Sequence, residues 1–157
     1  MIALGIDPGT TRIGYGLVEH HGSRLIALEY GIIENPGQDK FQDFIETEKG
    51  LSKIIEKFQP DTAGIERLFF TKNQKTAMAV SEMRGVLLLT LAKHRLPVQE
   101  FTPLQVKQSI SAYGKADKRQ VQKMVEMLLG ITTPISPDDA ADALAIAICC
   151  THTILPV

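Results

Sequence analysis

Cysteine is scarce in this chain, and the two present, Cys149 and Cys150, are adjacent within an apolar stretch. That arrangement offers neither a disulfide framework nor a Cys-x-x-Cys ligand pair, so both read as reduced core residues. Long apolar runs are missing too. Stretches such as Gly85 to Leu89 and Ala143 to Cys150 fall far short of the roughly 20 residues that span a bilayer. Met1 leads into strand-like sequence without the basic flank of a signal peptide. Repeats, linkers and low-complexity segments are also lacking. These absences exclude a membrane protein and a secreted disulfide scaffold, and they predict one cytoplasmic domain over residues 1–157. Hydrophobic content of 44% and charged content of 22% suit a soluble globular protein with a substantial core.

Net charge is nearly absent as well, at −1, which by itself points away from a polyanionic partner. Its distribution reverses that. Residues 1–66 carry 6 Lys or Arg against 11 Asp or Glu, residues 67–123 carry 11 against 3, and residues 124–157 carry none against 4. A basic middle third framed by acidic flanks is an electrostatic footprint for phosphates.

Three strands follow one another at the start: Ile2 to Asp7, Ile13 to Glu19 and Leu25 to Glu34. Their short links suit an antiparallel meander. Apolar residues from Phe41 to Phe58 recur at helical spacing, and Pro60 ends that helix. Thr62 to Glu66 then reads as a strand, Gln74 to His94 as a long helix and Pro97 to Phe101 as another strand. Helices are expected at about 103–111, 117–129 and 137–152. Strands joined by crossover helices lie parallel. The strands ending at Asp7, Glu66 and Phe101 should therefore share one edge, where open sheets bind ligands.

Two of those strands end on an acid. MIALGID runs into Asp7 and then the small turn Pro8-Gly9-Thr10, and DTAGIE ends on Glu66. Asp before a turn is a common turn initiator, but two acids on neighbouring strand ends form a like-charge pair that raises a pKa or requires a cation. ISPDDAADALAIAICC supplies more. Ser136 suits an N-cap, Pro137 the first helical position, and Asp138 and Asp139 the first turn, where the helix dipole favours anions. Asp142 has no such explanation. It is the one polar residue from Ala140 to Cys150, on a helix apolar all round, so it is expected to be buried with a strong partner. Asp139 and Asp142, three apart, share a helical face. Four acids from three segments can thus converge. Oxygen-only donors suit Mg²⁺ or Mn²⁺, and two such ions would serve phosphodiester hydrolysis. Bulk in the turn after Asp7 would crowd a phosphate and its cations.

IDPGTTRIGYG, GIERLFF, FTPLQVKQSI, ADKRQVQKMV and DDAADALAIA, in this order and spacing, resemble the RuvC family of crossover-junction endodeoxyribonucleases, from Met1 to about His152. The resemblance implies a ribonuclease H-like α/β fold. Its sheet would be a five-stranded mixed one, a three-strand antiparallel meander plus two parallel strands, flanked by helices. It further implies a homodimer that resolves four-way DNA junctions with Mg²⁺, paired with the RuvA-RuvB branch-migration complex. The metal-binding and catalytic acids would be Asp7, Glu66, Asp139 and Asp142, with Asp138 left as a dipole or capping residue. DNA-binding residues would be Lys107 and Lys118 near the scissile phosphate and the loop aromatic Phe69; from the residues alone Phe70 serves as well as Phe69, with Lys72 and Lys75 following. Where the family often has Gly-x-Gly before the second basic block, this chain has Ala112-Tyr113-Gly114. The apolar positions of the long helix from Ala77 to Ala92 exceed one core-facing stripe, so the helix is either sandwiched in the monomer core or meets a second copy with its spare face. A related nuclease acting on RNA and a non-catalytic junction-binding module are the alternatives. The first turn also resembles the phosphate loop of actin- and sugar-kinase-like ATPases, which need two such domains.

Overall fold

A computed structural model describes residues 1–69, 73–111 and 114–153; Phe70, Lys72, Ala112 and Tyr113 lie outside the described residues. Strand β1 (Ile2–Asp7) pairs antiparallel with β2 (Arg12–His21), and β2 with β3 (Arg24–Glu34). On its other side β1 pairs parallel with β4 (Thr62–Glu66), and β4 with β5 (Val98–Phe101), giving the order β3-β2-β1-β4-β5. This is the expected mixed five-stranded sheet. Helices α1 (Lys40–Phe58) and α2 (Gln74–Lys93) cover one face, while α3 (Pro103–Ile110), α4 (Lys118–Leu129) and α5 (Asp138–Thr153) cover the other.

The helices begin where side chains can satisfy free backbone N–H groups. Asp39 accepts from the backbone of Phe41 at the start of α1, while Thr102 with Gln105 and Asp117 with Gln120 form reciprocal capping boxes on α3 and α4. Helix α5 corrects one expectation. It starts at Asp138, with Pro137 just outside, its carbonyl accepting from the Ala140 N–H at 3.1 Å.

The pleat decides which face each strand residue serves, because side chains alternate. On β1, Leu4 and Ile6 join Leu51, Ile55, Met83, Leu87 and Leu91 of α1 and α2. Ala3 packs on the α5 side, and Gly5 and Asp7 share its face. On β4, Ala63 and Ile65 go to the α1–α2 core, which leaves Glu66 on the side of α5. Both strand-end acids therefore face α5. That helix is buried from Ala140 to Thr151 except at Asp142, so it fills the centre of its layer.

Packing of α5 on the sheet is as close as backbone allows. A methyl group on Gly5 would overlap the Ala143 carbonyl, and one on Gly14 would overlap the Asp139 carbonyl. Gly14 lies opposite Asp7 in the β1–β2 ladder, so its bare backbone lets the first turn of α5 settle beside Asp7. The small turn after β1 also has a local reason, invisible in the sequence: a methyl on Gly9 would overlap the Arg12 carbonyl within the turn itself.

Gly5→Ala should push α5 off the sheet and cost about 1–3 kcal/mol or more, as overpacking does. The exposed helical Gly85, with open space around its Cβ position, should respond oppositely, Gly85→Ala gaining up to about 1 kcal/mol through helix propensity. Thermal melts of both variants check the pair, and equal shifts would contradict the tight seat of α5.

Candidate active site

One cavity of about 200 Å³ opens at the carboxyl edge of β1 and β4. Asp7, Glu66 and Asp142 line it together with Lys107 and Lys118, and its walls are Pro103, Val106, Val121, Ala145 and Ile146. Three acids expected from sequence thus meet there, as do both expected lysines. The fourth, Asp139, does not line the cavity. Its Oδ2 pairs with the Arg12 guanidinium at 3.2 Å, while its charge still raises the pKa of Asp7. Asp142, expected to be buried, keeps 34% of its side chain exposed. It has the strong partner that its setting demands, because the Lys118 ammonium lies 3.0 Å from its Oδ2.

Sequence reasoning missed three participants. Asp138, read as a dipole or capping residue, holds Lys118 at 2.7 Å. Arg12 neutralises Asp139. Arg84 donates from Nε to the Glu66 carbonyl at 3.1 Å and pairs with Glu100, tying the end of β4 to α2 and β5. The adjacent acids 138 and 139 offered a hint of shared pairing, and Arg12 none. Nothing local marks Arg84.

The turn after Asp7 is held from behind. The Asn35 amide donates from Nδ2 to the Thr10 carbonyl at 3.2 Å and to Thr47 Oγ1 at 2.7 Å, and the Asn35 N–H donates to the Thr11 carbonyl at 2.8 Å. Phe69 is 58% exposed, so its ring does not cover the core.

Electrostatics in the cavity are unbalanced. Burial first, and then the charges of Asp142, Glu66 and Asp139, push Asp7 up to about 8, against the pull of Lys118. Glu66 is raised by burial and by Asp142, with Lys107 and Lys118 opposing. For Asp142, burial outweighs its hydrogen bond to Lys118, so it too is raised. Asp138 goes the other way because Lys118 donates to it, and Lys118 is correspondingly raised. Among the described residues no three acidic, His or Cys side chains form a ready-made metal cage. In kind the donors fit a hard divalent cation: all are carboxylate oxygens, and the mutual repulsion that raises Asp7 is what a cation would relieve.

Comparison with known proteins gives a consistent picture. The family described as crossover junction endodeoxyribonuclease RuvC matches residues 3–150. Crossover junction endodeoxyribonuclease RuvC of Moorella thermoacetica is 50% identical over 150 residues, covering 95% of this chain and 90% of the relative. That of Chloroflexus aggregans is 51% identical over 154 residues, covering 98% and 94%. RuvC of Thermus thermophilus, solved in complex with a Holliday junction substrate, superimposes with a TM-score of 0.86 at 28% identity, covering 95% of this chain and 92% of that one. The yeast mitochondrial Holliday junction resolvase Ydc2 shares the fold, with a TM-score of 0.67 at 19% identity over 94% of this chain and 76% of that one.

Asp7 has a folded-state pKa of about 8 against an ordinary 3.8. The folded chain therefore keeps a proton that the unfolded chain has lost, and stability falls as pH rises between those values. In metal-free buffer Asp7→Asn should raise the melting temperature more at pH 8 than at pH 5, with a gain on the order of 1–3 kcal/mol at the higher pH. Identical gains at both pH values would show that Asp7 is not a strained carboxylate.

Proposed function

The chain belongs to the RuvC family of crossover junction endodeoxyribonucleases, and on that premise we propose that its cavity is the site at which four-way DNA junctions are cut by metal-dependent phosphodiester hydrolysis. The observation that carries the reading is the meeting of Asp7, Glu66 and Asp142 with Lys107 and Lys118 in one cavity. Asp7, Glu66, Asp142 and, from the rim, Asp139 would hold Mg²⁺, with Mn²⁺ able to substitute and two ions as the expected number. Bound there, the metal would activate a water and stabilise the leaving oxygen.

The chain's own residues do the positioning. Lys107 and Lys118 act as point charges for the scissile phosphate. The apolar walls from Val106 to Ile146 restrict water around it. Phe69, exposed at the end of the described stretch after β4, offers a ring for an unpaired base at the branch point, an interaction worth roughly 1–3 kcal/mol. Residues 1–157 are read as a single nuclease domain.

A four-way junction has pseudo-two-fold symmetry, and an isologous pair would set two sites on opposed strands. Phe41 and Ile45 on α1 and Met78 and Leu89 on α2 are exposed apolar side chains of the outer layer. They support a second copy as the occupant of that face. The same reading makes the RuvA-RuvB branch-migration complex a further partner and the cytoplasm the place of action.

A synthetic four-way junction, a linear duplex, a single strand and an RNA duplex, each with Mg²⁺ and with EDTA, test the proposal. Cleavage should be confined to the junction and vanish in EDTA. Asp7→Asn and Glu66→Gln should lower cleavage roughly a hundredfold or more, the scale of losing metal-site support, while junction binding in EDTA stays near that of the parent. Lys107→Ala and Lys118→Ala should lower cleavage and reduce the salt slope of binding by about one for each phosphate that is no longer neutralised. Cleavage that survives both carboxylate changes would overturn the mechanism. Binding without cleavage under every condition would leave a junction-binding module, and RNA cleavage a related nuclease.

A further inference from the structure

The acids of α5 already hold cations that belong to the protein. Arg12 lies 3.2 Å from Asp139, and Lys118 lies 2.7 Å from Asp138 and 3.0 Å from Asp142. Asp7 and Glu66, on the strands, are in no ion pair among the described residues. The acids are therefore split: those of the strands repel one another, while those of α5 are paired with cations.

The two cations are not equivalent. Lys118 has two acids, and Asp138 stands outside the proposed ligand set, so Lys118 keeps a partner when Asp142 turns to a metal. Arg12 has one ion pair among the described residues, with Asp139, and reaches Asp138 only through its longer-range charge. If Asp139 becomes a ligand, Arg12 loses that ion pair and keeps only the weaker pull of Asp138. A guanidinium cannot escape by losing its proton, and its planar fork matches phosphate oxygens. Its side chain is 47% exposed, at the end of the turn that follows Asp7.

Building on the metal site proposed above, we propose that Arg12 is an exchangeable counter-cation, a positioning residue that neutralises Asp139 in the metal-free protein, yields it to a divalent ion and passes to a phosphate of the junction. Metal and DNA then favour each other's binding through one side chain, and by linkage the coupling runs equally in both directions.

Calorimetric titration of the DNA-free protein with Mn²⁺ alone tests the first half. Arg12→Gln should tighten Mn²⁺ binding roughly two- to fivefold, the effect of removing a partly exposed ion pair. Lys107→Gln removes a like charge from the same cavity without breaking any ion pair among the described residues, and it should tighten binding less. No tightening in Arg12→Gln, or equal tightening in both variants, overturns the exchange. The second half is read from junction binding with Ca²⁺ in place of Mg²⁺ and with EDTA. Arg12→Gln should weaken binding severalfold in Ca²⁺ and leave it unchanged in EDTA; an equal loss in both means that Arg12 touches DNA irrespective of metal and removes the coupling. Mn²⁺ binding that survives Asp7→Asn and Glu66→Gln unchanged would instead sink the metal site itself, and this proposal with it.

Discussion

The seat of α5 on the sheet is the constraint from which the site follows. Gly5 and Gly14 leave no room for even a methyl group between strand and helix, so the helix backbone lies against the strands. That closeness brings acids on α5 within electrostatic reach of Asp7. Had either strand carried side chains at these points, the helix would stand off and the acids would be separate surface charges. The same seat needs a helix with small residues on its inner side, and α5 supplies Ala140, Ala143 and Ala147, all buried. Tight packing and charge convergence are one feature of the fold.

Convergence has an energetic cost that the rest of the domain must offset. Burial and neighbouring carboxylates together push Asp7 up to about 8, a position in conflict with folding at neutral pH. Two separate hydrophobic cores offset it, one on each face of the sheet. The helix start contributes as well, since Asp138 and Asp139 sit where the positive end of the α5 dipole favours anions. Asp142 lies beyond that first turn and is held by Lys118 instead. The strand-end acids set charge against burial, and conflict of this kind with folding is expected to mark function.

Much of this was legible in the sequence, for identifiable reasons. Asp7 and Glu66 end short apolar runs that read as strands, and crossover helices force those strands parallel, so their meeting at one edge follows from chain direction alone. Asp142 announced a partner by being the one polar residue on an otherwise buried helix. The identity of that partner was not legible, because Lys118 belongs to a different helix whose packing against α5 depends on three-dimensional fit. Asp138 looked fully explained by the helix dipole, so its bond to Lys118 stayed hidden behind a sufficient local account. Arg12 was hidden for the opposite reason: a single arginine after a turn has no pattern to betray it. Nothing local marks Gly5 and Gly14 as a seat, and only the position of α5 reveals them as one.

What can move in this site is narrower than its loops suggest. The turn from Pro8 to Thr11 is tied by Asn35 to α1 through its Thr10 and Thr11 carbonyls, and Gly9 packs against the Arg12 carbonyl inside the turn. Arg84 fixes the end of β4 through the Glu66 carbonyl. Backbone carrying both strand acids is thereby immobilised on two sides, which is what preorganisation of a charged site requires. The freedom that remains lies in side chains: the carboxylates of Asp139 and Asp142, and the long cations of Arg12 and Lys118. Rearrangement in such a site is a matter of rotating a few bonds within a fixed frame. Its energy scale is then that of exchanging partly exposed ion pairs, small enough for a metal ion or a phosphate to tip.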